Sequence, residues 1–395
     1  MKKTTHLSVF GSLIMAFGWV GTTQASLFSL GNLYNTGVDG AGVPLAAGVA
    51  DPHYTLITKP AADPSTGAVA INTANFPING PWLNANGSSA WIGGRSDARA
   101  YAGDYTFRTS FNLPAGADPG KVRIAGVWSA DDASTATVSL NGALTGIAAP
   151  TTFGAFSPEW TLSSGFGSGQ NNLDFSVPDT AAATGGCCMG LRVEIREFGY
   201  DIGLYNTGVD ASRLALADDA VDGHWTITSG PTPGGPVAAT SAGGFPIGPW
   251  LADSTTSAWI TPTGNTNGEP GDYTYRTTFD LTGINLATFN LAGQMAADNS
   301  VVDILLNGVS TGESASGFNV WTPFSLDAGS GNGFAAGINT LEFVTNNGAP
   351  TGPTGLRVEF TDVTGSFVPE PTSVILVLFG AALLSCRRHR ARFLG

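Results

Sequence analysis

Apolar and polar residues alternate along this chain with the period of two that β-strands require. Residues 105–113 place Tyr, Phe, Thr, Phe and Leu at every second position, with Thr, Arg, Ser and Asn between them, and residues 273–281 repeat the pattern. Residues 191–195 and 356–360 alternate in the same way. One apolar and one polar face predict half-buried strands of antiparallel sheets.

Turn residues separate these strands. Asn141-Gly142 follows the apolar run 138–140, and Asn307-Gly308 follows the run 304–306. Asn-Gly is the favoured dipeptide of a two-residue type I′ hairpin. The chain holds 54 Gly and 23 Pro and has few long runs of good helix formers, so we predict an all-β protein.

Most of the chain is one unit present twice. The sequence Leu-Tyr-Asn-Thr-Gly-Val-Asp at 33–39 returns unchanged at 204–210, and further matches follow in the same order. A period of roughly 165 residues is too long for a solenoid repeat, so each copy is predicted to be a whole domain, at 27–199 and 200–366.

Each copy is longer than the ~100 residues of an immunoglobulin sandwich, and eight or more strands in two sheets favour a jelly roll. The run Asp-Tyr-Thr-Tyr-Arg-Thr-Thr-Phe at 272–279, the Leu-Asn-Gly at 306–308 and the Gly-Leu-Arg-Val-Glu-Phe at 355–360 resemble a galactose-binding-domain-like jelly roll. Such domains occur as sugar-binding modules beside glycosidases. The predicted fold is two tandem antiparallel β-sandwiches, with a signal helix before them and a short transmembrane helix after them.

The first 25 residues have the three parts of a secretory signal peptide. Lys2 and Lys3 form a basic start, residues 7–20 are apolar, and Thr23-Gln24-Ala25 offers small residues before a cut at Ser26.

The C-terminal segment 368–395 also has three parts. Pro369-Glu370-Pro371 precedes an apolar run at 374–386. A helix of that length covers about 20 Å, which is short of the ~30 Å hydrocarbon core of a bilayer. It predicts a marginal membrane anchor whose basic end stays on the cytoplasmic side. The basic end consists of Arg387, Arg388, Arg390 and Arg392.

This tail resembles the PEP-CTERM sorting signal of Gram-negative bacteria. The resemblance implies an exosortase as a partner, export across the inner membrane to the cell envelope, the surface or the medium, and an association with exopolysaccharide or biofilm. It makes Pro369, Glu370, Pro371 and the four arginines sorting residues.

The charge balance excludes two classes of partner. Residues 26–371 hold 11 Lys and Arg against 30 Asp and Glu, a balance that repels nucleic acid and anionic lipid.

Residues 26–371, the body of the chain, hold two histidines, His53 and His224, whereas a zinc site needs about three protein ligands. Nucleophile-elbow, P-loop and dinucleotide-binding spacings are absent. We therefore predict no catalytic residue, metal or cofactor.

Two kinds of adjacent residue pair, one acidic and one of cysteines, leave alternatives open. Asp131-Asp132 is matched by Asp298-Asn299, for which a turn or strand-start role is expected and a structural Ca²⁺ is the alternative. Cys187 and Cys188 are adjacent, and either a disulfide between them or two free thiols fits the sequence.

Tryptophan is the strongest ligand signal, because an exposed indole can stack on a sugar ring. Tryptophan is also a natural filler of a sandwich core, so a core position is the alternative for each of them. Trp82 and Trp250 follow proline in Gly- and Asn-rich stretches, so of all the tryptophans these two are the ones expected to be exposed and to bind carbohydrate. The matched sets are Trp82, Trp91 and Trp160 in the first copy and Trp250, Trp259 and Trp321 in the second.

Charged residues on the polar strand faces predict cross-strand ion pairs. Arg108 is expected to face Glu194, and Arg276 is expected to face Glu359.

Three functions fit this sequence. The first is a non-enzymatic envelope or matrix protein, the second is a carbohydrate-binding adhesin that uses both jelly rolls, and the third is a polysaccharide-degrading enzyme.

Overall fold

A computed structural model describes residues 27–368, except 32, 75, 85, 181–185, 187, 240–246 and 328–332. These residues form β-strands and three 3-10 helices of three residues each, Pro119–Lys121, Ala133–Thr135 and Leu286–Thr288. Within these ranges, no helix is long and apolar enough to cross a membrane. The predicted signal helix and the predicted C-terminal helix lie outside the described residues.

The strands are numbered in chain order. They are β1 (Phe28–Ser29), β2 (Tyr54–Thr58), β3 (Val69–Ala70), β4 (Ile92–Gly93), β5 (Gly103–Asn112), β6 (Val122–Asp131), β7 (Thr137–Leu140), β8 (Ala143–Leu144), β9 (Trp160–Leu162), β10 (Gln170–Asp179), β11 (Gly190–Tyr200), β12 (Thr226–Ser229), β13 (Val237–Ala238), β14 (Ile260–Thr261), β15 (Asn267–Gly268), β16 (Gly271–Asp280), β17 (Asn290–Asp298), β18 (Ser300–Leu306), β19 (Val309–Ser310), β20 (Ala315–Ser316), β21 (Thr322–Asp327), β22 (Ile338–Asn347), β23 (Gly352–Pro353) and β24 (Gly355–Thr364).

Each half of the chain forms two antiparallel sheets. In the first half, β2-β5-β10-β7-β8 form what we call the open sheet, and β3-β4-β11-β6-β9, with β1 beside β11, form the covered sheet. In the second half, β12-β16-β22-β18-β19, with β20 beside β18, form the open sheet, and β13-β14-β24-β17-β21 form the covered sheet. Strands β15 and β23 make a separate ribbon.

Successive long strands alternate between the two sheets of a half. β5 lies in the open sheet, β6 in the covered sheet, β10 in the open sheet and β11 in the covered sheet, and the second half repeats this order. Such alternation is the connectivity of a jelly roll. The prediction of antiparallel β-sandwiches is therefore confirmed.

The strand and turn predictions are also confirmed in detail. The apolar residues of β5 and β16 are buried and their polar neighbours face outward. Asn141 and Gly142 both have positive φ (53° and 83°), as do Asn307 and Gly308 (52° and 78°). A type I′ turn requires this conformation at both central residues. These turns join β7 to β8 and β18 to β19.

The two halves meet at an aromatic junction. The ring of Phe28, from β1, lies 6.3 Å from that of Phe289 and 5.2 Å from that of Phe367. Tyr200 packs edge-on against Phe28 and Phe367. The Lys121 ammonium also lies 2.6 Å from an Asp280 carboxylate oxygen across the junction. One hydrophobic cluster consequently runs through both halves.

A smaller core covers the outer face of each covered sheet. In the first half it contains Trp82 and Trp91, with Leu83 and Phe153 packed against it. In the second half it contains Trp250 and Trp259, among others. Each half thus has three layers, namely the open sheet, the covered sheet and these loops. The outer face of the open sheet is polar.

Candidate functional site

The two candidate tryptophans lie inside the loop layer. Trp82 is 3% exposed and Trp250 is 4% exposed, so their expected exposure is wrong and both take the core position that the sequence left as the alternative. The Trp82 indole N–H donates to Asp131 Oδ2 at 2.8 Å, and that of Trp250 donates to Asp298 Oδ2 at 2.9 Å. The last residue of β6 is therefore the acceptor for the buried indole of Trp82, and the last residue of β17 is the acceptor for that of Trp250. Neither ring offers a free face to a sugar.

A second tryptophan completes this arrangement in each half. The ring of Trp91 lies 4.3 Å from that of Trp82, and its N–H donates to the Leu83 carbonyl at 2.8 Å. The ring of Trp259 lies 4.4 Å from that of Trp250. The paired indoles fix the loop that follows Trp82 or Trp250, so these residues position neighbouring groups.

The acidic pairs have the expected turn role. Asp131 ends β6, and Asp132 begins the 3-10 turn before β7 and accepts from the Thr180 N–H at 2.8 Å. Burial raises the pKa of Asp131 to about 6, with the charge of Asp132 adding to the shift and the Trp82 hydrogen bond opposing it. Across the described residues, no group of three or more His, Cys, Asp or Glu could hold a metal ion.

A buried arginine lies beneath each loop layer. Arg192 of β11 is fully buried on the outer face of the covered sheet. Its Nε donates to Ser89 Oγ at 2.7 Å, and its Nη1 donates to the Asn84 carbonyl at 2.6 Å. Its Nη2 lies 3.5 Å from Glu194 Oε1. Burial lowers the pKa of the Arg192 guanidinium, whose remaining contacts hold it in the charged form.

The second half repeats this arrangement with Arg357 of β24. Its Nε donates to Ser257 Oγ at 2.9 Å, its Nη1 donates to the Ala252 carbonyl, and its Nη2 lies 3.3 Å from Glu359 Oε1. Sequence reasoning did not single out Arg192 or Arg357. The repeated Gly-Leu-Arg-Val-Glu was the available signal, because an arginine next to buried strand positions in both copies needs a partner.

A partly exposed aromatic ring lies over each arginine. The Arg192 guanidinium is 5.1 Å from the ring centre of Phe156, and that of Arg357 is 4.9 Å from the ring centre of Trp321. Both rings are partly exposed. We call Phe156 over Arg192 the first aromatic platform and Trp321 over Arg357 the second.

The loops that carry the platforms are built alike. The carbonyl of Phe153 accepts from the Leu83 N–H at 2.9 Å, and the carbonyl of Phe318 accepts from the Leu251 N–H at 2.9 Å. Each acceptor lies three residues before its platform ring. The loop fixed by the buried tryptophan pair therefore holds the platform loop in place.

This equivalence corrects the matching of Trp160 with Trp321. Trp160 is a buried residue of β9 that packs against Gly126, and its structural counterpart is Phe324 of β21, which packs against Gly293. The counterpart of Trp321 is Phe156. The sequence alignment failed here because the loops before β9 and β21 share no motif.

The predicted cross-strand ion pairs are wrong. Arg108 makes a two-pronged contact with Asp174 of β10, at 2.7 and 2.8 Å. Arg276 bonds Glu342 of β22, with its closest approach at 2.6 Å. Glu194 and Glu359 belong to the covered sheets, whereas the two arginines belong to the open sheets. The strand alternation of the jelly roll thus places the proposed partners in different sheets.

The two histidines stack on tyrosines. The rings of His53 and Tyr34 lie 3.6 Å apart, as do those of His224 and Tyr205. Burial lowers the pKa of His224, and the nearby positive charge of Arg213 adds to the shift. Both histidines therefore have a packing role.

The cysteines, the sorting residues and one cleft lie away from the platforms or outside the described residues. Cys188 is disulfide-bonded, and Cys187 lies outside the described residues. The sorting residues Pro369, Glu370, Pro371, Arg387, Arg388, Arg390 and Arg392 also lie outside them. A mostly apolar cleft of about 500 Å³ opens at the junction beside Phe28, Pro114 and Phe367, and neither Trp82 nor Trp250 lines it.

No protein-family model matches the chain, and no curated protein matches it. Among solved structures, the Pleurotus ostreatus lectin in complex with GalNAc is 18% identical and covers 68% of this chain and 77% of its own, with a TM-score of 0.28. A Paenibacillus xanthan lyase is 13% identical and covers 86% of this chain and 27% of its own, with a TM-score of 0.25. The extracellular domain of ANXUR2 from Arabidopsis thaliana is 10% identical, covers 80% and 93%, and has a TM-score of 0.25. Likenesses this low carry no argument about function.

Proposed function

We propose that this chain is an exported, non-enzymatic protein of the cell envelope or extracellular matrix that binds polysaccharide through its two aromatic platforms. One observation carries the proposal. A partly exposed ring is held over a buried arginine at the equivalent place in both halves. Of the residues named from the sequence, Trp250 belongs to the cluster against which Trp321 packs, and Trp82 belongs to the cluster against which Phe153, in the loop of Phe156, packs.

The chemistry of the platforms suits a sugar ring. A ring that is already held in place gains apolar contact with a sugar at little cost in side-chain entropy. Polar groups that could bond hydroxyls lie next to the arginines, among them Asn86, which donates to Glu194 Oε1 at 2.7 Å, and Gln294, which donates to Glu359 Oε2 at 2.8 Å. Two weak sites on one chain gain avidity on a repeating polymer.

The sorting tail supplies the location in this proposal. Recognition of Pro369-Glu370-Pro371 by an exosortase, with transient membrane residence through 374–386, would deliver the protein to the polysaccharide outside the cell. The intact mass of the exported protein tests this, because processing near Pro371 removes the arginine cluster. A surface protein that still carries Arg392 contradicts it.

Binding of the exported protein to an array of polysaccharides tests the proposed function. We expect Trp321→Ala to weaken binding by about tenfold, which corresponds to about 1.4 kcal/mol, and Phe156→Ala to weaken it less. Leu144→Ala is the matched control, since Leu144 is an apolar residue that is 75% exposed on an open sheet. Binding with unchanged polymer length separates this function from a degrading enzyme. Unaltered binding in the double platform variant would contradict the proposal.

A further inference from the structure

Every cation of the described body lies close to a carboxylate. Nine of its 11 Lys and Arg side chains form ion pairs within 4.0 Å, namely Arg95, Arg108, Lys121, Arg123, Arg192, Arg196, Arg213, Arg276 and Arg357. Lys59 lies close enough to Asp63, and Arg99 close enough to Asp97, for their charges to interact. Hence no cation in the described part of the chain stands apart from an acidic side chain.

The arginines of the platforms are buried as well as paired. Arg192 and Arg357 are 0% and 2% exposed, and their donors are directed to serine, backbone carbonyls and glutamate. Each supports the ring above it from the protein side. An acidic group on a bound sugar would therefore find no guanidinium to receive it.

Carboxylates are the charged groups at the edge of the platforms. Glu194 and Glu359 keep 13% and 20% of their side chains exposed. The second platform has an additional carboxylate, Asp253, which accepts from the backbone N–H of Trp259 at 3.1 Å and lies close enough to Arg357 for their charges to interact. The equivalent position in the first half is Ala85. The charges of two carboxylates thus act on one guanidinium at the second platform.

We infer that the polysaccharide carries no acidic groups, and that sugars with free amino groups bind tightest, at the second platform. This inference rests on the proposed function. The body holds 11 Lys and Arg against 30 Asp and Glu, so it repels an acidic polymer and attracts an ammonium-bearing one. Trp321 also offers the ammonium group a π-face, which an indole provides better than the phenyl ring of Phe156 does.

Three oligosaccharide probes of equal length test the inference with the exported protein. They are a β-1,4-linked N-acetylglucosamine oligomer, its de-N-acetylated counterpart, and an oligogalacturonate. At low salt, we expect the de-N-acetylated probe to bind at least about fivefold tighter than the acetylated one, and the oligogalacturonate not to bind. The fivefold preference should shrink at high salt, because counter-ions screen exposed charges.

Two matched variants locate the effect. Asp253→Asn keeps an acceptor for the Trp259 N–H but removes the charge, and we expect it to lose most of the preference for the amino probe. Asp272→Asn removes one charge from the open sheet of the same half, where Asp272 is exposed, and should keep the preference. Equal losses in the two variants would overturn the assignment to the second platform.

The remaining outcomes separate the two proposals. Equal affinity for the amino and acetylated probes, or binding of oligogalacturonate that Trp321→Ala abolishes, overturns the inference and leaves the proposed function standing. Failure of all three probes to bind, together with unaltered polysaccharide binding in the platform variants, overturns both.

Discussion

The two halves of this protein share a framework and differ at its surface. Both keep the tryptophan pair bonded to an aspartate and the buried arginine bonded to serine and glutamate. The residue over the arginine is Phe156 in one half and Trp321 in the other. The two halves thus share the groups whose loss would leave a buried polar atom without a partner, and they differ where solvent reaches the ring.

The junction shows a second difference between the halves. Arg213 occupies a left-handed conformation (φ 65°) at the place of Gly42 in the first half. Its Nη2 lies 2.9 Å from an Asp201 oxygen, and its Nε lies 3.5 Å from Glu197, whose other oxygen is bonded by Arg123. The halves are therefore joined by charged as well as aromatic contacts, which an isolated copy would lack.

Removing the aromatic contact should have the largest effect. We expect Phe28→Ala to lower the free energy of unfolding by about 3–5 kcal/mol, because a large ring is deleted between Phe289 and Phe367. Urea unfolding followed by tryptophan fluorescence measures the change. If the halves depend on each other, one transition should split into two. A single transition at the wild-type midpoint would contradict the stabilising role of Phe28 at the junction.

Replacing the buried arginines should cost nearly as much. Arg192→Met leaves Glu194 and two backbone carbonyls without their cation, and breaking a buried pair typically costs about 3–5 kcal/mol. Arg357→Met should cost a similar amount, because Glu194 retains bonds from Ser89 and Asn86 just as Glu359 retains bonds from Ser257 and Gln294. Thermal unfolding of both variants measures the two losses. A large loss in one variant and none in the other would contradict the equivalence of the two arginines.

Stability should depend on pH through the aspartates beneath the tryptophans. The pKa of Asp131 is raised to about 6 in the folded protein, so the folded state binds this proton more tightly than the unfolded state does. Its contribution to stability is present at low pH and is lost as pH rises from about 4 to about 6. Asp131→Asn keeps an acceptor for Trp82 and should flatten this decline, measured by urea unfolding at each pH.

The second half provides the control for this titration. Burial also raises the pKa of Asp298, but its neighbour Asn299 carries no charge, whereas Asp132 adds repulsion to Asp131. Asp298→Asn should therefore flatten the decline less than Asp131→Asn does. The reverse order would show that the neighbouring charge has no influence.

The smallest effect is expected on the open sheets. A double-mutant cycle of Arg108 and Asp174 should give a coupling of about 0.2–1 kcal/mol, the range for exposed pairs, because the Arg108 side chain is 35% exposed. The same cycle with Arg108 and Glu194 should give none. Coupling in the second cycle would contradict the assignment of these residues to different sheets.

The sequence was sufficient for the strands and insufficient for their partners. Strands β5 and β16 follow from period-two alternation, and the Asn-Gly turns follow from backbone conformation alone, since both are local properties. The pairing of Arg108 with Asp174 depends on the order of the strands in the sheet. The sequence alone does not give that order, so it could not distinguish Asp174 from Glu194 as the partner.

The two aromatic platforms could not be predicted from the sequence for a similar reason. Proline and glycine next to Trp82 indicated a loop, and this was correct. Whether a loop tryptophan is exposed depends on what lies beneath it, and here Asp131 at the end of β6 receives the indole N–H. Trp321 and Phe156 were not recognised as equivalent because their loops share no motif, although both lie over an arginine of a motif that does repeat.

The position of β1 has a mechanical consequence. Phe28 and Phe367, from near the two ends of the described range, have ring centres 5.2 Å apart, and β1 pairs with β11 through two residues, Phe28 with Tyr200 and Ser29 with Gly199. A force that pulls residue 27 away from residue 368 would therefore load this short ladder and the Phe28 ring before it stretches either sandwich. Under tension, the protein would first release a short terminal segment and separate its two halves, while both platforms keep their shape.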